Sequence, residues 1–271
     1  LNFCNLISKI NFNYVALAFK KLNTFTLVMR NKFTDIYHQI IQAKSKNNKL
    51  LAILVDPDKI VWDNLDQLLF KIKQSPATHI FIGGSLVESN RLDELILKIK
   101  QNSSLPIVLF PGNPSQISTH ADGILFLSLI SGRNPDYLIE HQVKAAAILK
   151  NSNLEIIPTG YILIESGSET AVEKVSKTKP IKRNNIDLAT HTAIAGEMMG
   201  NKFIYLEAGS GANNAVTLEM IKNVSQNINI PLIVGGGIRD LQGIQNAYNA
   251  GADFVVIGTA FENNLNFFDN N

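Results

Sequence analysis

The chain has 271 residues, 45% of them hydrophobic, and a formal net charge of +2. That length suits one large α/β domain or two small ones with an ample core, and the near balance of charge gives no argument for a nucleic-acid partner. One cysteine, Cys4, and five scattered histidines leave no disulfide framework, no cysteine-built zinc site and no histidine pair at helical ligand spacing.

Residues 1–28 carry no acidic residue, many Asn, and Lys9, Lys20 and Lys21. Their longest apolar run, residues 15–19, is too short for a signal-peptide core of about 7–15 residues. The segment reads as a non-native or disordered extension ahead of Met29; an organellar leader or a small docking helix are the alternatives. Residues 29–271 then form a single domain, beginning with an amphipathic stretch at 33–41. No later run approaches the roughly 20 apolar residues of a membrane span.

From residue 50 a rhythm sets in. Short β-branched, apolar runs occupy 50–57, 79–85, 106–112, 123–129, 154–164, 203–210, 231–237 and 254–259, and helical patterns follow most of them. Nearly continuous apolar runs suit parallel strands covered on both faces. Eight such units predict a closed (β/α)8 TIM barrel, with a doubly wound open sheet as the alternative. Only ten residues separate Gly112 from Gly123, too few for a crossover helix. The third helix is therefore expected to be reduced or missing. The 165–186 connection is long, polar and basic; it reads as a lid over the site or as a solvated excursion. A helix over 186–201, stopped by Gly200, should follow.

The working face of a barrel lies at the C-terminal strand ends. Those ends carry Asp56, then Ser85, then Tyr205-Leu206-Glu207-Ala208-Gly209-Ser210-Gly211, then Gly235-Gly236-Gly237 with Arg239, then Gly258-Thr259. Glycine turns after strands seven and eight place backbone N–H groups where such barrels hold phosphate. Asp56 and Ser85 end neighbouring strands, and a carboxylate with a hydroxyl leaves most of a Mg2+ shell to water and phosphate oxygens. The bland reading of Asp56 is a turn cap, a role for which Asp58 looks better placed. Glu207, acidic beside an anion-binding turn, reads as a general base for a hydroxyl, with a buried ion pair as the structural alternative.

VDPDK (55–59), GGS (83–85), YLEAGSGA (205–212), GGGIR (235–239) and IGTAFE (257–262) resemble the geranylgeranylglyceryl phosphate synthase family, most of all its branch with YLEAGSGA in strand six. The resemblance spans about residues 33–265. It implies a barrel lacking its third helix and a prenyltransferase that joins sn-glycerol 1-phosphate to a polyprenyl diphosphate, usually geranylgeranyl diphosphate, forming an ether and diphosphate with Mg2+ present. It implies Asp56 and Ser85 as metal ligands, and Tyr205 to Gly211, Gly236, Gly237, Gly258 and Thr259 as the glycerol 1-phosphate site. Glu207 and Tyr205 are then the catalytic candidates. The other branch carries a Lys two positions before the strand-one Asp, whereas Leu54 stands here. A cytoplasmic homo-oligomer with peripheral membrane contact for product release is the accompanying expectation. Another phosphate-binding barrel isomerase or synthase is the rival, although the strand interiors carry no Schiff-base lysine. A catalytically idle ligand-binding barrel would explain the glycines but not the acids.

Overall fold

The computed structural model describes residues 35–84 and 91–269. The expectation for residues 1–28 and the position of Ser85 lie outside the described residues. Eight parallel strands close into a barrel in sequential order, β1 pairing with both β2 and β8. The strands are β1 (Leu50–Val55), β2 (His79–Ile82), β3 (Ile107–Leu109), β4 (Gly123–Leu129), β5 (Glu155–Leu163), β6 (Phe203–Glu207), β7 (Leu232–Gly235) and β8 (Phe254–Ile257).

Helix α1 (Ile36–Ser45) precedes the barrel and turns Ile36 and Ile40 into its interior. Its first turn has no acidic residue of its own; the Glu155 carboxylate from β5 accepts the N–H of Ile36 and of Tyr37, the latter at 2.9 Å. Outer helices α2 (Leu65–Gln74) and α3 (Leu92–Asn102) follow β1 and β2. Later come α4 (His141–Lys150), α5 (Ala171–Ser176), α6 (Ile186–Met198), α7 (Leu218–Asn227), α8 (Leu241–Ala250) and the short α9 (Thr259–Asn263). Between β3 and β4 there is one 3-10 turn, Pro114–Gln116, as the short spacing predicts.

Strand alternation sorts the side chains into two layers. Ala52, Phe81, Val108, Leu125, Ile157, Phe203, Tyr205, Ile233 and Phe254 fill the barrel, while neighbours such as Ile53, Ile204 and Leu206 pack outward against helices. On β6 this period puts Phe203, Tyr205 and Glu207 on the inner face. Helix α6 packs close because its buried face is small, with Ala189, Ala193 and Gly196. Its stop is Gly200 at φ +91°, as expected.

Candidate active site

At the C-terminal mouth a cavity of about 690 Å³ gathers most of the residues the sequence singles out. Asp56, Tyr205, Glu207, Gly209, Ser210, Gly211, Gly236, Gly237, Gly258 and Thr259 all line it. Leu206 and Ala208 do not; both pack into the outer core. The Ala208 N–H is spent on Gly235 O at 3.1 Å, so these two hold the turn in place rather than face the space.

Glu207 is buried at 5% exposure. Burial pushes its pKa up to about 7, against the donated Gly209 N–H and the closeness of the Tyr205 hydroxyl, which lower it. The Gly209 N–H reaches Glu207 Oε1 at 2.5 Å. One donor of the glycine turn therefore serves the carboxylate and is closed to phosphate, which the sequence does not reveal. Tyr205 Oη lies beside the same carboxylate but makes no hydrogen bond of ordinary geometry among the described residues. Burial, and then the Glu207 charge, push the Tyr205 and Tyr161 hydroxyls well above their usual range, so both stay protonated.

The other donors of these turns are uncommitted. Among the described residues no protein acceptor takes the N–H of Ser210, Gly211, Gly236, Gly237 or Gly258. Gly236 and Gly237 sit at φ +79° and +71°. A Cβ on Gly236 would lie 2.3 Å from Glu207 Oε1 and 2.6 Å from the Gly209 nitrogen. Its first conflict is thus with the carboxylate and the β6 turn, not with a phosphate oxygen as the turn pattern alone suggests. Asp240 caps α8 by accepting the Gly243 N–H at 2.7 Å, and Ser210 Oγ lies 3.3 Å from Thr259 Oγ1, joining the turns after β6 and β8. Arg239 borders the cavity, tethered to Ala212 O at 3.0 Å.

The acidic rim differs in detail from the sequence reading. Asp56 itself accepts the Asp58 N–H at 3.1 Å and so caps this turn. Its other oxygen faces Lys59 Nζ at 3.4 Å, and Lys59 also reaches Glu262 at 3.1 Å. Gly84 packs so close that a Cβ there would meet the Asp56 carboxylate at 3.1 Å. Lys59 and Glu262 carry no assigned role in the sequence reading, and their pairing across the β1 and β8 ends becomes visible only on closure of the barrel.

A second, apolar cavity adjoins the first where the missing crossover helix leaves β4 uncovered. Ile117, Ile124, Phe126, Tyr137, Ala145 and Leu149 line it. Gly84, Phe110, Tyr161 and Val172 border both cavities and mark their junction. Phe110 stacks on Tyr205 at 5.3 Å, and Tyr161 meets Tyr205 edge-on at 5.4 Å. The sequence hints at this junction only through the aromatic ends of β3 and the middle of β5.

The 165–186 segment is more ordered than a polar loop. Thr170 and Glu173 form a capping box that starts α5, and Gly209 lacks a Cβ where Thr170 presses on it. Part of the segment's basic set is engaged within or beside it: Lys174 pairs with Glu169, Lys182 with Glu165, and Arg183 donates to Ala215 O. Ala171 and Val172 are what this segment contributes to the cavity.

The PcrB family profile matches residues 39–270. A geranylgeranylglyceryl phosphate synthase of Flavobacterium johnsoniae is 69% identical over 87% of this chain and 97% of its own length. One from Zunongwangia profunda is 52% identical over 84% and 97%. The crystal structure of (S)-3-O-geranylgeranylglyceryl phosphate synthase from Thermoplasma acidophilum in complex with sn-glycerol-1-phosphate superposes with a TM-score of 0.81 at 32% identity, covering 86% of this chain and 94% of that one.

Proposed function

The chain belongs to the PcrB family, and from that premise we infer that it is a prenyltransferase joining sn-glycerol 1-phosphate to geranylgeranyl diphosphate, with 3-O-(geranylgeranyl)glyceryl phosphate and diphosphate as products. Its relatives bear that activity in their names, and one of them was crystallised with sn-glycerol 1-phosphate. One observation carries the reading on this chain's own residues. A buried carboxylate with a pKa near 7 lines a cavity that holds uncommitted backbone donors and that adjoins an apolar groove at Phe110 and Tyr161.

The donors of Ser210, Gly211, Gly236, Gly237 and Gly258 suit the phosphate of glycerol 1-phosphate. The glycerol hydroxyl then falls toward Glu207, which accepts its proton. The freed oxygen attacks C1 of the prenyl chain, the carbon–oxygen bond to diphosphate breaks, and the electron pair leaves with diphosphate. A pKa near 7 leaves much of Glu207 ionised at neutral pH while keeping it basic enough to take the proton. The prenyl tail would run through the junction at Phe110 and Tyr161 into the groove.

Asp56, a rim carboxylate whose second oxygen also faces Lys59, would hold a Mg2+ that otherwise keeps water and diphosphate oxygens; Ser85, outside the described residues, is the second ligand expected from the sequence. When bound, the ion would offset charge on the departing diphosphate. No helix among the described residues is long and apolar enough to cross a membrane. A cytoplasmic homo-oligomer remains part of this reading. The deciding experiment is incubation with labelled geranylgeranyl diphosphate and each glycerol phosphate enantiomer. Ether formed from sn-glycerol 1-phosphate alone is the expected result; no transfer to either would overturn the reading.

A further inference from the structure

On the same rim, outside the cavity just described, a cleft of about 500 Å³ lies between the loop after β4 and the segment after α5. Three cations border it: Arg133, Lys177 and Lys179, all exposed. The rest of its lining is Ser131, Gly132, Asn134, Pro135 and Thr178, with no acid among them. None of the three cations takes part in an ion pair among the described residues. Asp136 is the nearest acid along the chain, and it heads the helical turn that leads away into α4.

The cleft is built rather than incidental. Gly132 must lack a Cβ, because one would meet the buried Thr178 side chain at 2.8 Å. That approach brings the loop carrying Arg133 against the segment carrying Lys177 and Lys179. Lys177 ends α5 in the left-handed region at φ +50°, a conformation costly for a residue with a side chain. Asn134 ties the two walls together by donating to Ser176 O at 2.8 Å, and Tyr137 donates to Val175 O at 3.1 Å.

The same two walls also bound the apolar groove, through Tyr137 on one and Val172 and Val175 on the other. Cationic cleft and prenyl groove are thus two sides of one pair of segments. The helical run leaving the cleft exposes Ile139 at 58% and Val143 at 61%, one turn apart.

We propose that this cleft docks the protein on an anionic lipid surface, its three cations holding lipid phosphates so that the groove opens toward the bilayer from which a prenyl diphosphate is drawn and to which the ether lipid returns. The proposal rests on the prenyl-transfer reading for its purpose. It rests, for its location, on three cations outside any ion pair among the described residues, with Arg133 also donating to the Ile130 and Gly132 carbonyls, and on their continuity with the groove. A basic patch at a membrane gains attraction from each cation and loses it with rising salt.

The test uses the full chain and vesicles of phosphatidylcholine, alone or mixed with phosphatidylglycerol. Wild type should sediment with the mixed vesicles only, and less so as salt rises. The triple variant Arg133→Glu, Lys177→Glu, Lys179→Glu should bind them at least about tenfold more weakly. Its turnover of a short, water-soluble prenyl diphosphate should match wild type, which shows that the fold and the chemistry survive. Equal vesicle binding by wild type and variant, or no binding by either, overturns the proposal. So does inorganic phosphate bound at the cleft without vesicle binding, since the ligand would then be a soluble anion. Failure of the wild type to transfer a prenyl group would instead overturn the catalytic reading, which the vesicle assay does not touch.

Discussion

Glu207 and His79 are both buried ionisable groups, and they bend the stability of the protein in opposite directions with pH. Glu207 has a folded pKa near 7, above its ordinary value of 4.5. Its proton is therefore held more tightly in the folded state. The contribution is present in full below about 4.5 and is lost as pH rises through 7. Glu207→Gln should lower turnover by about 10²–10⁴-fold, remove the acidic limb of the pH–rate profile, and leave the melting temperature at pH 8 equal to or above wild type. A structural ion pair would give the reverse, a lower melting temperature with turnover intact, measured on one preparation. His79, its ring tilted against that of Phe254 with centroids 4.8 Å apart, has its pKa lowered to about 4 by burial. Here the neutral form is favoured on folding, so stability is full above about 6.5 and falls as pH drops toward 4. His79→Phe should flatten the melting-temperature profile over that window; an unchanged slope would assign acid sensitivity to other groups.

At the scale of elements, the turns after β6, β7 and β8 act as one unit. Strand alternation made Glu207 legible in the sequence, because an acid that ends an apolar parallel strand belongs to a barrel's mouth. Which N–H groups of the glycine turns are spent was not legible, since that depends on φ values and on a carboxylate bending back to Gly209. That Asp56 caps the turn after β1 has the same origin, since only the turn geometry shows which N–H its carboxylate accepts. Gly236 is a poor probe of the phosphate, as its Cβ would strike Glu207 first. Gly258 is a better one. Its φ is −127°, and an added Cβ would make ordinary contact with Leu54 at 3.5 Å. Gly258→Ala should keep the melting temperature within a few degrees and weaken glycerol 1-phosphate about tenfold by calorimetry. Unchanged affinity would move the phosphate away from β8.

Across the whole molecule the eight-strand rhythm and the short β3–β4 spacing were readable, because each is a matter of length and apolar patterning. The lining of the groove was not, since Ile117, Phe126, Ala145 and Leu149 sit on a turn, a strand and a helix whose facing sides only the folded barrel brings together. Ala145 faces that groove from α4. Ala145→Phe should fill it partway, so that C20 diphosphate loses kcat/KM relative to C10 or C15 while glycerol 1-phosphate affinity stays fixed. Equal losses across the chain-length series would place the tail elsewhere.

The single 3-10 turn between β3 and β4 has a further consequence for how the barrel is completed. Every other gap in the outer ring that the described residues cover is closed by polypeptide, but on the prenyl-transfer reading this one would be left for a hydrocarbon. The prenyl chain would then serve as a borrowed piece of secondary structure, packing on β4 as a helix does on other strands. Each methylene laid into the trough would add about 0.8 kcal/mol to the bound form until the trough ends. Substrate length would be read out as a property of folding, with melting temperature climbing in even steps through a series of non-reactive prenyl analogues and levelling off where the groove stops.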